Sequence, residues 1–209
     1  MRDNDNKQQL MKEIKQTHDQ AVTVPLDQWD MDFAESLKNK RESTYIKDGN
    51  HIYQSKTDAL TDYDKQSKTG VVGETAVSRY VFGDYAGVDL RVWDEDGDDG
   101  VDMRIGGFNI DVKTTTHAVR DPGRTPHLLV EEQAHWENRD ETDAYVLAAY
   151  DEVDNEVELM GWIPHDEVAP AGEFVREGES IVSDGTPIFC RKTDYVVHPR
   201  HLRPMSELV

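Results

Sequence analysis

A mixed α/β fold around one core is what this sequence predicts, and three observations carry it. Residues 66–83, QSKTGVVGETAVSRYVFG, place Val72, Ala76, Val77, Tyr80 and Val81 on one helical stripe that stops at Gly83. Residues 101–116 hold two alternating segments around Gly106–Gly107, the pattern of a two-residue hairpin. Two further apolar segments, AYVLAAY at 144–150 and EVELMGWI at 156–163, follow on either side of Asp154–Asn155.

Taken in order, residues 1–22 read as a polar helix with a sparse apolar face of Leu10, Met11 and Ile14. Pro25 and Asp27 mark a helix start for about 25–42, with Trp29, Phe33 and Leu37 at helical spacing. The stretch 43–65 has no clear period and reads as irregular. A strand is expected at 87–93, strands at 101–105 and 108–116, and a helix at 128–138. After the strands at 144–150 and 156–163 come a short helix near 164–169 and one or two strands around 187–197. Residues 1–65 are thus a mostly helical N-terminal extension, and 66–209 the core with its C-terminal strands. From residue 66 the order is helix, three strands, helix, strand, which implies a central mixed sheet with helices packed on it.

The totals exclude several classes of protein. The 209 residues suffice for one good-sized core. No apolar run approaches the ~18 residues that span a bilayer, so no membrane partner is expected. The opening MRDNDNKQQL lacks the charged-then-apolar pattern of a secretory signal, and a single cysteine, Cys190, excludes an internal disulfide or a multi-cysteine metal site. A cytoplasmic protein is the expectation.

The formal net charge of −20 argues against indiscriminate binding of nucleic acid. It suits a surface adapted to high salt, a polyanion mimic that binds a DNA-binding protein, or a soluble body with a local basic patch. Acidic residues are spread along the whole chain, which favours the first and third readings over mimicry.

The chemistry concentrates in GVDMRIGGFNIDVK. With Gly106 and Gly107 as the turn, Ile105 faces Phe108, Met103 faces Ile110 and Asp102 faces Asp111. Alternation puts Val101, Met103, Ile105, Phe108, Ile110 and Val112 on an apolar side, and Asp102, Asp111 and Lys113 on the other. Like charges directly opposite each other are destabilising unless something compensates. A hard divalent cation does so, since Mg²⁺ takes one or two carboxylates and keeps several waters. Lys113 then points to the same place, where it can hold a water or stabilise charge on a phosphate oxygen. It also suits a surface counter-charge. Thr115 and His117 continue the Asp111 face.

These residues resemble the PD-(D/E)XK, or restriction-endonuclease-like, nuclease superfamily: Val101-Asp102, then Asp111-Val112-Lys113, after a helix carrying Gly73-Glu74. The resemblance covers about residues 66–163 and extends to the element order. It implies that Asp102 and Asp111 bind Mg²⁺ (with Mn²⁺ as a substitute), with the Val112 carbonyl as a further ligand. Lys113 would position or activate the attacking water, and Glu74 would support the metal or its waters. An acid early in a helix also favours the helix dipole, so Glu74 has a structural reading too. Val101 stands where the family name has proline, the second acid is Asp, and the helix after the hairpin carries no QxxxY motif.

The expected activity is metal-dependent phosphodiester hydrolysis, with DNA as the partner, in restriction, repair, junction or viral processing. A catalytically idle binding module of the same fold is the rival, beside the DNA mimic. Arg200 and Arg203, in the basic PRHLRP segment with Arg191 and Lys192 nearby, are candidates to touch a phosphate backbone, as are Thr115 and His117. Lys38, Lys40 and Arg41 read as basic residues complementing the end of their helix. The N-terminal helices are candidates for homodimerisation or for clasping DNA. The run Asp94, Glu95, Asp96, Asp98, Asp99 begins like a calcium loop, but Asp99 stands where the glycine belongs and Ile105 where the bidentate Glu belongs.

Overall fold

The computed structural model describes residues 20–47, 57–88, 101–116, 125–183 and 186–209. Its centre is a five-stranded mixed sheet in the order β1-β6-β5-β3-β2. The strands are β1 (Val22–Pro25), β2 (Met103–Ile105), β3 (Phe108–Thr115), β5 (Ala144–Asp151) and β6 (Glu156–Pro164). β3 and β5 run parallel, and the other neighbours are antiparallel. A parallel pair needs a crossover. Here it passes through β4 (Leu128–Glu131) and the short helix α3 (Glu132–Glu137).

β5 shows why this strand is central. Its residues alternate between two cores: Ala144, Val146 and Ala148 enter one, Tyr145, Leu147 and Ala149 the other. A strand covered on both faces reads as the continuous apolar run AYVLAAY. The first core lies under the helices α1 (Gln28–Lys47) and α2 (Thr57–Phe82), where Val71, Val72, Ala76 and Val77 meet Ile110, Val112 and Leu159. The second is closed by Leu128, Val130 and Val197 and by Val168 of α4 (His165–Ala171).

Of the expected stripe of α2, Val72, Ala76 and Val77 are buried and Tyr80 and Val81 partly so, and Gly83 ends the helix at a φ of +75°, its N–H bonded to the Arg79 carbonyl at 3.0 Å. A left-handed residue just past the last turn is the usual glycine stop. α1 starts at Gln28, just past Asp27 as expected, whereas Pro25 closes strand β1 opposite Glu156 rather than opening the helix. Asp27 and Asp30 exchange side-chain-to-amide bonds of 3.0 and 2.8 Å, a capping box made of two aspartates.

Several expectations are corrected. Trp29 is 78% exposed, and among the described side chains of α1 the buried ones are Asp30, Ala34, Leu37 and Lys38. Asp30 takes the inward place because the Tyr85 hydroxyl donates to it at 2.9 Å and Arg79 pairs with it at 3.2 Å. Residues 22–25 form strand β1 on the sheet edge, while the helix read over 1–22 lies for residues 1–19 outside the described residues. The irregular reading of 43–65 gives way at both ends, as α1 runs to Lys47 and α2 begins at Thr57. Only the second half of 128–138 is helix. Leu128–Glu131 is strand β4 because β10 (Asp194–Val197) offers it an antiparallel partner, Leu128 opposite Val197.

β7 (Glu173–Val175) completes that three-stranded sheet. β8 (Ser180–Ser183) and β9 (Thr186–Phe189) form a separate ribbon. The strand expected at 87–93 is represented by an antiparallel bridge of Val88 to Met103; residues 89–100, with the acidic run, lie outside the described residues.

Candidate active site

The hairpin forms in the expected register. Gly106 and Gly107 have φ of +59° and +93°, and Ile105 pairs with Phe108, Arg104 with Asn109 and Met103 with Ile110. Two successive residues with positive φ match the twist of the strands they join.

One pair further on, the ladder stops. Continued, it would set Asp102 opposite Asp111 and Val101 opposite Val112. Instead the Asp102 amide donates to the Ile110 carbonyl at 3.0 Å, and the Asp102 carboxylate accepts the Val112 amide at 2.7 Å. The expected face-to-face pair of carboxylates is thereby replaced by an acid seated at the open side of β3. Backbone N–H and C=O of one strand residue point to the same side. The Val112 carbonyl is therefore directed toward the side that Asp102 occupies.

Asp111 and Lys113 keep the geometry of alternation. Ile110 and Val112 belong to the core beneath α2, so Asp111 and Lys113 project from the other face of β3. Lys113 Nζ lies 2.7 Å from Asp111 Oδ2. The Asp111 side chain is 11% exposed and that of Lys113 41%, so the pair opens to solvent through the lysine. Thr115 follows on the same face at the end of the strand, and His117 lies outside the described residues.

Glu74 comes from α2, and Gly73 determines how close that helix approaches. A Cβ at position 73 would stand 1.9 Å from Thr114 Oγ1, so only glycine lets the helix lie this near β3. Glu74 is 3% exposed, and both its oxygens are engaged by Arg41 of α1, at 2.6 and 2.7 Å.

These acids share one electrostatic neighbourhood. Burial pushes the Asp102 carboxyl well above the usual carboxylate range, the negative charges of Glu74 and then Asp111 push it further, and Lys113 opposes them. The structure thus brings together Glu74, Asp102, Asp111 and Lys113 from one helix, the residue before β2, and β3. Tyr145 stands beside Asp111 in the parallel register; burial and then that carboxylate raise its phenol above the ordinary range.

Arg200 and Arg203 are not drawn into the cluster. Arg203 exchanges backbone bonds with Trp162 on β6, its guanidinium lies 5.0 Å from the Trp162 ring centre, and it pairs with Glu167. Val112, Val146, Trp162 and Arg203 form one row across the sheet, which sets Arg203 roughly 14 Å from β3 at the usual strand spacing. Arg200 sits in the 3-10 turn Pro199–His201, its amide donating to His198 Nδ1.

Arg41 is the residue that sequence reasoning missed. It was placed near a helix end, yet α1 continues past it to Lys47, and its partner lies 33 residues away in the chain. No local pattern signals that pair.

Among the described residues no three His, Cys, Asp or Glu side chains are grouped so as to hold a metal ion. What stands here is a pair of carboxylates, Asp102 and Asp111, with the third acid turned to an arginine. Their oxygens are hard donors, and mutual repulsion in a desolvated place is what a small dication relieves. Among the described residues no helix is long and apolar enough to cross a membrane. Comparison of the chain with protein-family models, with curated proteins and with solved structures finds no match.

Proposed function

We propose that this chain is a metal-dependent nuclease that hydrolyses phosphodiester bonds, with DNA as substrate, on a restriction-endonuclease-like core. The carrying observation is the meeting of Asp102, Asp111 and Lys113 at the end of the β2–β3 ladder, with Glu74 behind them. Support also comes from the topology: a helix, a bridge at Val88, the β2–β3 hairpin, a crossover with α3, and β5 parallel to β3.

In this reading Asp102 and Asp111 would hold Mg²⁺, with Mn²⁺ as a substitute, and the ion would supply charge stabilisation at the scissile phosphate. Asp111 sets the position of Lys113 through their ion pair, leaving the ammonium partly exposed on the substrate side. The ammonium can donate to a water or to a phosphate oxygen, and it carries a charge suited to the developing transition state. The Val112 amide fixes Asp102, so one acid is oriented by the backbone of the strand that bears the other. Thr115, at the end of β3, would face the substrate, with His117 two residues further along the chain, and Arg200 and Arg203 would be outlying phosphate contacts.

A catalytically idle module of the same fold is the second reading. It is favoured by one observation: cations of the chain itself, Arg41 and Lys113, already pair with Glu74 and Asp111.

The test is cleavage of linear, circular and branched DNA, with single-stranded controls, by wild type and Lys113→Ala. Each runs in Mg²⁺, Mn²⁺ or EDTA at low and at molar salt. Metal-dependent cutting by wild type and a loss of about 100-fold or more in the variant are expected. Cutting that survives the substitution overturns the assignment of the site, and no cutting by wild type under any condition moves the reading to the idle module.

A further inference from the structure

We propose that Arg41 is a positioning residue that holds Glu74 off the cation. Asp102 and Asp111 then ligate the ion directly, and Glu74 acts on it only through water. The inference rests on the metal-dependent reading above and divides the three acids of that site into two ligands and one restrained neighbour.

Geometry carries it. Both Glu74 oxygens are taken by one guanidinium, at 2.6 and 2.7 Å, and the residue is 3% exposed. A forked pair of this kind is planar and directional, and a buried carboxylate that left it would strand an arginine charge. Asp111 and Lys113 project from the face of β3 opposite α2, whereas Glu74 and Arg41 approach from the helical side.

Asp102, bonded to the Val112 amide at the open side of the strand, is near enough to both groups to feel the charges of Glu74, Asp111 and Lys113. α1 is also held in register against α2 at its start, since Asp30 in its first turn is paired with Arg79 of α2 and bonded by Tyr85. One turn before Arg41, the buried Lys38 is paired with Glu35 at 3.4 Å. The helix that the sequence presents as an appendage therefore completes the site.

The experiment is Mn²⁺ binding to the full chain, followed by electron paramagnetic resonance without any nucleic acid. It compares wild type, Glu74→Gln, Arg41→Gln, Arg41→Lys and the Arg41→Gln/Glu74→Gln double variant, each checked for folding by circular dichroism. Glu74→Gln is expected to bind Mn²⁺ within about threefold of wild type, because the lost charge acts at a distance and no ligand is removed.

Arg41→Gln is expected to tighten Mn²⁺ by roughly tenfold more when Glu74 is present than in the Glu74→Gln background, as the released carboxylate reaches the ion. The number of waters on Mn²⁺ should fall in the same variant. Arg41→Lys, which keeps the charge and loses the fork, should fall between.

Equal effects of Arg41→Gln in both backgrounds, or a loss of about 30-fold in Glu74→Gln alone, overturn the inference while leaving the metal reading standing. Should Arg41→Gln not fold, Glu74→Gln and Arg41→Lys decide by the same criteria. Wild type that binds no Mn²⁺ at millimolar concentration overturns the metal reading and this inference with it.

Discussion

The Asp102 carboxylate accepts the Val112 amide at 2.7 Å, the bond that a continued hairpin ladder would have given to Val101. One side chain thus ends a β-ladder, and the acid is held in a desolvated place beside two other acids. Its stability consequence can be measured directly. A carboxyl whose folded pKa is raised stabilises the fold when protonated, and that contribution is lost as pH rises from the unfolded value through the folded one. Asp102→Asn is therefore expected to raise the melting temperature in EDTA at pH 7 by about 2–6 °C, with the gain shrinking toward pH 4. Scanning calorimetry at the two pH values checks it. An unchanged or lower melting temperature at pH 7 would remove the case for electrostatic strain at Asp102. Cleavage should fall in the same variant, since the charge that burdens the fold is the one proposed for the metal.

Gly73 is expected to tolerate no side chain. Gly73→Ala puts a methyl group against the Thr114 side chain, which must rotate, with α2 or the strand giving way as well where its Cβ still crowds the new group. A loss of about 1–3 kcal/mol in urea unfolding is expected. Gly73→Ala/Thr114→Ser, which removes one Thr114 methyl but keeps its Oγ, should recover a part of it, and Gly73→Ala/Thr114→Gly most of it. A neutral Gly73→Ala would mean that the helix does not lie as close as the structure places it.

The hairpin turn makes an asymmetric prediction. Gly106, at φ +59°, lies where asparagine is well tolerated, so Gly106→Asn should change stability by less than about 0.5 kcal/mol. Gly107→Val places a β-branched residue at φ +93° and should cost about 1–2 kcal/mol. Denaturant midpoints of the two variants test the register on which the whole site depends.

His135 supplies a pH dependence of the opposite sign to that of Asp102. Burial and then the neighbouring His165, stacked at 3.9 Å, lower its pKa from 6.5 to about 4. The folded ring stays neutral while the unfolded ring takes up a proton, so stability falls as pH drops from about 6.5 toward 4. Roughly 3 kcal/mol is at stake across that window. The difference in unfolding free energy between wild type and His135→Phe, measured at pH 7.5 and at pH 5, isolates this contribution from the carboxylates common to both. A difference that does not change with pH would show that His135 takes up its proton as readily in the fold as in the unfolded chain.

Local patterns made much of this protein readable. The glycine stop of α2, the Gly-Gly turn and the alternation that buries Met103, Ile105, Ile110 and Val112 each depend on residues a few positions apart, and they form as their patterns require. Phe108, expected on the apolar side, is instead 51% exposed beside the turn, where the sheet ends and the described core does not cover it. Alternation about the Gly-Gly turn singled out Asp102, Asp111 and Lys113, which the fold sets in one electrostatic neighbourhood. The finer relation between them was not readable. Alternation carried one residue too far sets Asp102 against Asp111, whereas the ladder breaks where an aspartate side chain can outcompete a backbone carbonyl for the Val112 amide.

The inward place that helical spacing assigns to Trp29 goes to Asp30 for a similar reason. An inward aspartate is costly unless Arg79 and Tyr85 meet it, and those partners lie some fifty residues away in the chain. By itself, then, the sequence determined the element types at the centre, the hairpin register and the residue types available for chemistry. Tertiary structure alone decided that α1 reaches Glu74 through Arg41, that Leu128–Glu131 is a strand beside β10, and that Arg203 stays with Glu167 and Trp162. Those outcomes turn on contacts between distant segments, where the energy of burying and pairing a side chain is settled by a partner that no local period reveals.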